Sequence, residues 1–451
     1  MADDRHRVKL IINPSGASVL TRVYTESWCI ENAMTDKRFF KLYDLSEEAA
    51  IALLDTPEAD LAEGDSRYVA ASHLVNFNTP ASIAALIRAV ERTDPSLDNR
   101  IVRRKALESL GRLQVQTALP TIAACLTDED PYTVENAVWA LAELGTTDPT
   151  HHQAILAVLG RPQQSYRVVL RAIGQLGIGE ALPQVQPFCD HEDPLIASAA
   201  IATVLRLGGD RRLLPQLRSF LRHPHPFARR LAIQDCMDVA DVDAVPEVVR
   251  CPVSLVFRMR GVRHLAMVAG WKIGQWQEPL EAVLRDRPET VAPVHTYAET
   301  PSLEFLIQEL FQTDFGKCYL ASQWLLQEYA AAAPAALRDS YQGEGQSDYG
   351  AHYHIVKLLG WLRCREATDI LVEALTQTQP QFQKSRAAAA IALGELGNPA
   401  FIPDLVRALQ VPIWDLQYGA LLALAQLGAK GPWPIAGNDP FVQAKALTHG
   451  F

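Results

Sequence analysis

One pattern recurs along this chain: a short amphipathic run that closes on an apolar anchor. It reads VRRKALESLGRL to Leu113, YTVENAVWALAEL to Leu144, YRVVLRAIGQL to Leu176, ASAAIATVLRL to Leu207 and ARRLAIQDCMDV to Val239. An earlier copy, SRYVAASHLVNF, closes at Phe77, and a weaker one, FRMRGVRHLAMV, at Val268. Later copies close at Leu362, Leu396 and Leu427. The anchors from Leu113 to Val239 lie 31 or 32 residues apart. Each repeat opens with a second helical pattern, such as ALPTIAACL (118–126), ALPQVQPFC (181–189) or FIPDLVRAL (401–409), with proline in the first turn, where its missing N–H costs nothing. Two helices in a period of this length predict an all-α fold, a HEAT-repeat α-solenoid, as a curved superhelix of helix pairs. Ala70, Ala106, Ala137, Ala200, Ala232 and Ala420 each stand seven before an anchor. Small side chains there let paired helices approach closely.

The register divides the chain into an N-terminal cap (1–60), a first repeat block (61–270), an irregular helical middle (271–340), a second block (341–430) and a C-terminal tail (431–451). The middle holds Trp271 and Trp276, and a repeat is expected to survive near Lys317–Tyr329. Lys and Arg total 42 against 52 Asp and Glu, a net charge of −10, which argues against nucleic acid as a general partner. Seven scattered cysteines without a C-x-x-C pair argue against a disulfide framework or zinc ribbon and for a reducing compartment. No apolar run reaches the ~20 residues of a membrane span, and the first residues lack a signal-peptide core. A cytoplasmic protein is the expectation.

A second helix of this period buries positions 0, −3, −4 and −7 from its anchor. Positions −9 and −5 fall off that stripe and would line one shared wall. Position −9 holds Tyr68, Arg104, Glu135, Arg167, Ser198, Arg230, Met259 and Tyr353; position −5 holds Trp139, Arg171, Arg263 and Lys357 among others. An arginine and aromatic stripe suits a planar, conjugated, anionic ligand, because guanidinium pairs with carboxylate and stacks on π-faces. The alternative is a solvated helix face. Arginines at −10 (Arg67, Arg103, Arg229, Arg386) read instead as a structural ladder to loop carboxylates between repeats.

The densest polar and aromatic cluster is YQGEGQSDYGAHYH, Tyr341 to His354. Asp348 at the loop–helix junction reads as an N-cap or as a general acid, with Tyr349, His352 or His354 in support. His352 and His354 are too closely spaced on a helix to share a metal, no metal site is expected, and His223-Pro-His225 reads as a turn. The chain has no G-x-S-x-G elbow, P-loop, H-E-x-x-H or dinucleotide fingerprint. His-Glu occurs once, at His191-Glu192, whereas a di-iron hydroxylase on such repeats, resembling deoxyhypusine hydroxylase, needs several.

The succession SRYVAASHLVNF, ASIAALIRAVERTDPSLDNRIVRRKALESLGRL and TIAACLTDEDPYTVENAVWALAEL resembles the E/F-type phycobilin lyases of cyanobacteria. The resemblance covers most of residues 45–240 and, more loosely, 350–430; its discriminating part is 65–145. Two repeat blocks in one chain look like the phycoerythrin-type single-chain members. The resemblance implies a linear tetrapyrrole, phycoerythrobilin, as a substrate with no permanently bound cofactor. It further implies delivery to a cysteine of a phycobiliprotein (phycoerythrin) subunit as a thioether, in some members with isomerisation to phycourobilin. It then assigns Arg104, Arg167, Arg171, Arg230 and Arg263 to the propionates, Trp139 and Tyr68 to stacking, and Glu135 or Asp348 to the pyrrole nitrogens. Asp348 with Tyr349 becomes the candidate proton source, with His352 and Tyr353 beside them as ligand contacts. The Asn-His-Cys-Gln-Gly-Asn motif of isomerising relatives is missing; the nearest segment, Ser340-Tyr341-Gln342-Gly343-Glu344, has no cysteine. The competing reading is a non-enzymatic HEAT scaffold or chaperone for a phycobiliprotein or another partner.

Overall fold

The computed structural model describes residues 45–270 and 274–449; the start of the N-terminal cap and Trp271 lie outside the described residues. Every regular element among the described residues is a helix. Two compact units divide the chain, one ending at Ile122 and the other running from Ala123. The break falls within the short helix Leu119–Ala124, inside the span read as one repeat block.

The predicted helix pairs are present in each unit. First helices carry proline in their opening turn at Leu182–Val185, Leu214–Ser219 and Ile402–Leu409. Second helices include Leu97–Arg112 in the first unit and Pro131–Glu143, Tyr166–Leu176, Pro194–Arg206, Pro226–Asp238 and Leu255–Val268 in the second. The second unit continues through Phe315–Gln327, Tyr349–Trp361, Gln383–Leu396 and Trp414–Gln426. The alanines seven before each anchor are fully buried. Carboxylates of Asp130, Asp193 and Asp314 cap their helices by accepting from the amides of Thr133, Leu195 and Gly316. Part of the acidic excess therefore serves helix N-termini, where the macrodipole favours it.

The −10 arginines do tie turns together, through carbonyls as well as carboxylates. Arg103 Nε donates to the Val90 carbonyl and Arg386 Nε to that of Leu375, each at about the same length (2.9 and 3.0 Å). Arg67 pairs with Asp98, and Arg229 combines the Pro252, His223 and Pro224 carbonyls with the Asp314 carboxylate. A guanidinium has five donors in a fixed fork, so one side chain satisfies several turn acceptors at once.

The tail is more than a cap. Its helix Pro440–His449 packs on Trp414–Gln426, and the tail reaches back to the middle segment, where Lys445 donates to Glu281 at 2.6 Å, and to Leu255–Val268, where Asp439 accepts from Arg263 at 2.7 Å. No helix among the described residues is long and apolar enough to cross a membrane.

Close helix approach is strictest at Gly360, where an added Cβ would stand 2.4 Å from Ala392 Cβ and 2.8 Å from its Cα. Backbone cannot step aside as a flexible side chain can. Gly360→Ala is expected to destabilise the second unit by about 1–3 kcal/mol, as overpacking does. Urea unfolding followed by circular dichroism checks this; an unchanged midpoint would mean that the two helices separate freely.

Candidate ligand site

In the second unit, one buried carboxylate gathers the side chains of three helices. The helix Gln277–Arg285 ends at Asp286, whose backbone turns left-handed (φ 48°). Asp tolerates that conformation better than most residues. The turn delivers a fully buried carboxylate to Arg258 of Leu255–Val268, Tyr319 of Phe315–Gln327, and Tyr353 and Lys357 of Tyr349–Trp361. Tyr319 Oη donates to it at 2.9 Å, and Arg258 also donates to Tyr319 Oη at 2.6 Å. Burial alone would raise the Asp286 pKa; the Arg258 and Lys357 charges and the bonds from Lys357 and Tyr353 outweigh it and hold the carboxyl far below the usual range.

Lys384 extends this cluster from the first turn of Gln383–Leu396. It is only 9% exposed, and its ammonium lies 4.8 Å from the ring centroid of Phe315, 5.1 Å from Tyr353 and 5.2 Å from Tyr349. Among the described residues no carboxylate pairs with it and no acceptor bonds it. Burial and the neighbouring Lys357 charge push its pKa down to about 8. Lys357, over the rings of Tyr353, Tyr319 and Trp361, is likewise pushed to about 8 by burial, despite Asp286. Each cation–π contact contributes about 0.5–2 kcal/mol. Desolvating an ammonium costs several kcal/mol, so the rings offset part of the cost and an anion would offset the rest.

The flanking histidines are neutral at pH 7. His354 is fully buried against Phe315 (4.7 Å between ring centroids) with neither ring nitrogen bonded, and burial drives its pKa well below the ordinary value. His352, stacked near Phe382 and Tyr341, is pushed to about 4 by burial and Lys384. Toward solvent the cluster opens: Phe315 and Trp361 are half-buried and Tyr349 is 57% exposed.

The sequence-derived residues divide between this cluster and other places. Tyr349, His352 and Tyr353 join it, with Asp348 on its rim. His352 and Tyr353 are buried within it, so they act as its internal frame and correct the expectation of direct ligand contacts. Asp348 caps its helix, Oδ1 accepting from Gly350 and Ala351 at 2.9 and 2.8 Å, while Oδ2 accepts no hydrogen bond among the described residues. Arg167 is buried and grips Asp235 with two nitrogens (2.7 and 3.1 Å), so its guanidinium serves the fold and is no open carboxylate receptor. Arg171 pairs with Asp238 at 3.0 Å. Arg263 is covered by the tail: it pairs with Asp439 and lies 4.0 Å from the Trp414 ring and 4.4 Å from that of Phe441. The half-buried Arg230 lies 4.4 Å from the Phe257 ring, and Glu135 and Trp139 are half-buried on Pro131–Glu143. Tyr68 and Arg104 belong to the first unit, where Lys105 lies 4.9 Å from the 39% exposed Tyr68 ring. Asp286, Tyr319 and Lys384 went unrecognised in the sequence. Lys357 shares the register of Arg171 and Arg263, which is a readable signal; Asp286 and Lys384 carry none. No group of His, Cys, Asp and Glu among the described residues could hold a metal ion.

Comparison with known proteins adds independent findings. Residues 96–167 match HEAT repeats, and 385–410 match the PBS lyase HEAT-like repeat. An uncharacterised phycocyanin operon protein Y of Pseudanabaena tenuis (strain PCC 7409) is 49% identical, over 90% of this chain and 97% of its own length. The bilin biosynthesis protein CpeY of Synechococcus sp. (strain WH8020) is 31% identical, over 84% of this chain and 96% of its own. Among solved structures, the complex of CpcE and CpcF of phycocyanin lyase from Nostoc sp. PCC7120 aligns at 27% identity and a TM-score of 0.46, over 53% of this chain and 94% of that one.

Two predictions follow the charges. Asp286→Asn leaves Arg258 and Lys357 without a counter-ion and is expected to cost about 3–5 kcal/mol in chemical denaturation; a loss below 1 kcal/mol would show that the cations find other partners. Lys384 binds its proton more weakly folded than unfolded, so its charge burdens the fold below pH 8 and stops doing so as pH rises toward 10. Lys384→Met should therefore be stabilised relative to wild type near pH 7, by roughly 3 kcal/mol for a pKa lowered from 10.5 to about 8. That advantage should shrink by pH 10. Lys357, Cys318, Asp348 and Asp286 act on Lys384 electrostatically, and the same measurement on Lys357→Met separates the titration of Lys357 from that of Lys384.

Proposed function

This chain belongs to the HEAT-repeat bilin lyases of the E/F type, and on that premise we propose that it attaches a linear tetrapyrrole to a cysteine of a phycobiliprotein subunit. The substrate of this reading is phycoerythrobilin and the acceptor a phycoerythrin subunit. The observation that carries the site assignment is the cluster around Asp286, in which Arg258 and Lys357 share one buried carboxylate and Lys384 lies beside them under a frame of aromatic rings. A conjugated tetrapyrrole with two propionates complements that chemistry in charge and in its flat aromatic surface. The bilin is the substrate and leaves with the acceptor.

The thiols of the chain agree with transfer to another protein. Among the described cysteines, Cys125, Cys236, Cys251, Cys318 and Cys364 are buried and Cys189 is partly so. Burial pushes Cys189 to about 11 and both Cys251 and Cys318 to about 12, and raises Cys236 and Cys364. A thiol in that range carries almost no thiolate at pH 7. The nucleophile of this reading is the acceptor's cysteine. Its sulfur adds to the exocyclic ethylidene carbon of ring A, the carbon–carbon π bond opens, and the thiol proton is made good on the adjacent ring carbon by a general acid. In this reading Asp348 and Tyr349 on the rim relay that proton. If the product is phycourobilin, the same pair moves a second proton along the conjugated system without the cysteine motif of other isomerising lyases.

Co-expression with a phycoerythrobilin source and a phycoerythrin subunit tests this directly. A coloured subunit that keeps its bilin through denaturing electrophoresis is expected, and its absorption band distinguishes phycoerythrobilin from phycourobilin. A subunit that co-purifies with the chain but stays colourless after denaturation would replace the enzyme with a scaffold. Asp348→Asn is expected to lower the covalent yield at least tenfold while bilin binding, followed by its visible band, persists.

A further inference from the structure

Lys384 is the most anomalous cation in the second unit. It is more than nine-tenths buried, and no carboxylate or other acceptor answers it among the described residues. The groups acting on it electrostatically are Lys357, Cys318, Asp348 and Asp286. Of these, Asp286 is already held by Arg258, Lys357, Tyr319 and Tyr353; Asp348 uses Oδ1 in the helix cap, and its Oδ2, which accepts no hydrogen bond among the described residues, forms no ion pair with Lys384. Lys384 also stands in the first turn of its helix, at the positive end of the macrodipole, where a cation is disfavoured and an anion favoured. In the same turn, fully buried Ser385 has a hydroxyl without a hydrogen-bond partner. A positively charged turn with an unanswered ammonium and an unanswered hydroxyl lacks an acceptor from outside the chain.

We propose that Lys384 seats one carboxylate of the ligand, a propionate of the linear tetrapyrrole, with the rings of Phe315 and Tyr349 flanking it. This deepens the bilin lyase reading and rests on it. Carboxylate is the chemistry that fits: it accepts from an ammonium as a charge-assisted bond, and it is the anionic group that a tetrapyrrole carries on a flexible arm. Asp286 acts here as a positioning residue. By holding Lys357 and Tyr353 it fixes the floor under Lys384 and leaves Lys384 alone free to meet an incoming anion. The seat places one edge of the ligand at the buried end of the cluster, beneath exposed Tyr349.

Titration of the purified full chain with phycoerythrobilin and with its dimethyl ester, read from the visible absorption band, tests the seat. The wild type is expected to bind the free acid about tenfold more tightly than the ester. Lys384→Met is expected to bind acid and ester equally, at the ester's affinity, and Lys384→Arg to keep a preference for the acid. Circular dichroism of each variant verifies its fold, and the wild-type comparison of acid with ester stands even if a variant fails to fold. Equal affinity of the wild type for acid and ester, or an undiminished preference in folded Lys384→Met, would overturn the seat while leaving the lyase reading intact. Absence of binding to either form would overturn both.

Discussion

A carboxylate sealed from water must be answered by donors, and the donors must come from wherever the fold can bring them. Asp286 draws its donors from residues 28, 33, 67 and 71 positions away in the chain. Those residues sit on three helices. Buried ion pairs are poor sources of net stability, since desolvation consumes most of the attraction and well-packed hydrophobic residues often do as well. What such a pair imposes is geometry. Any shift of Tyr349–Trp361 against Leu255–Val268 would strand a charge, so the irregular middle of the chain and the repeats on either side are held in one register. The floor of the ligand site inherits that rigidity.

Arginine serves the repeats in a second, related way. Arg167 and Arg171, on Tyr166–Leu176, bond Asp235 and Asp238 on Pro226–Asp238, passing over the intervening helix, whose Ser198 also donates to Asp235. A tie of this kind spans two repeats. It opposes bending at each junction more effectively than contacts between immediate neighbours, which are all that apolar packing supplies in a solenoid. The arginine stripe that reads in sequence as a ligand wall is thus in part a set of internal braces. Residues with long, multivalent side chains fit both uses, and composition alone does not separate them.

The repeat period, the prolines of the first helices and the buried alanines were legible because each depends on residues close in sequence. The Tyr341–His354 segment stands out in sequence for the same reason: its polar and aromatic density is local. Asp286 and Lys384 were not. Nothing near Asp286 in sequence distinguishes it from an ordinary residue after a helix, and its meaning comes from partners on other helices. Asp235 was an intermediate case. It occupies the −4 position of its repeat, where the apolar stripe calls for a hydrophobic side chain, so a buried acid there implies a cation across from it. Arg167, at −9 of a repeat two earlier, is that cation. The fold follows from local rules, while the site follows from contacts that only the fold creates.

The gradient across the cluster bears on what a ligand bound there can do. At its base, Asp286, Tyr319, Tyr353 and His354 are fixed by burial and, apart from His354, by hydrogen bonds. At its rim, Tyr349 is exposed and Phe315 and Trp361 are half-buried. A binding protein built for storage gains by enclosing its ligand on every side, because each further contact slows release. A transfer protein must hold one part of the ligand while another remains accessible to a second macromolecule, and it must let go once the bond has formed. In the proposed reading, a rigid cationic floor with an open aromatic rim meets both demands: the charged arm is gripped, the conjugated rings rest on side chains, and the reacting carbon faces the acceptor's thiol. Formation of the thioether then tethers the tetrapyrrole to the acceptor. The grip at the base need only be weaker than the combined hold of that covalent bond and the acceptor's own chromophore pocket, which limits how much binding energy the floor can usefully supply. One unanswered lysine, beside a neighbour that shares Asp286 with Arg258, fits that limit.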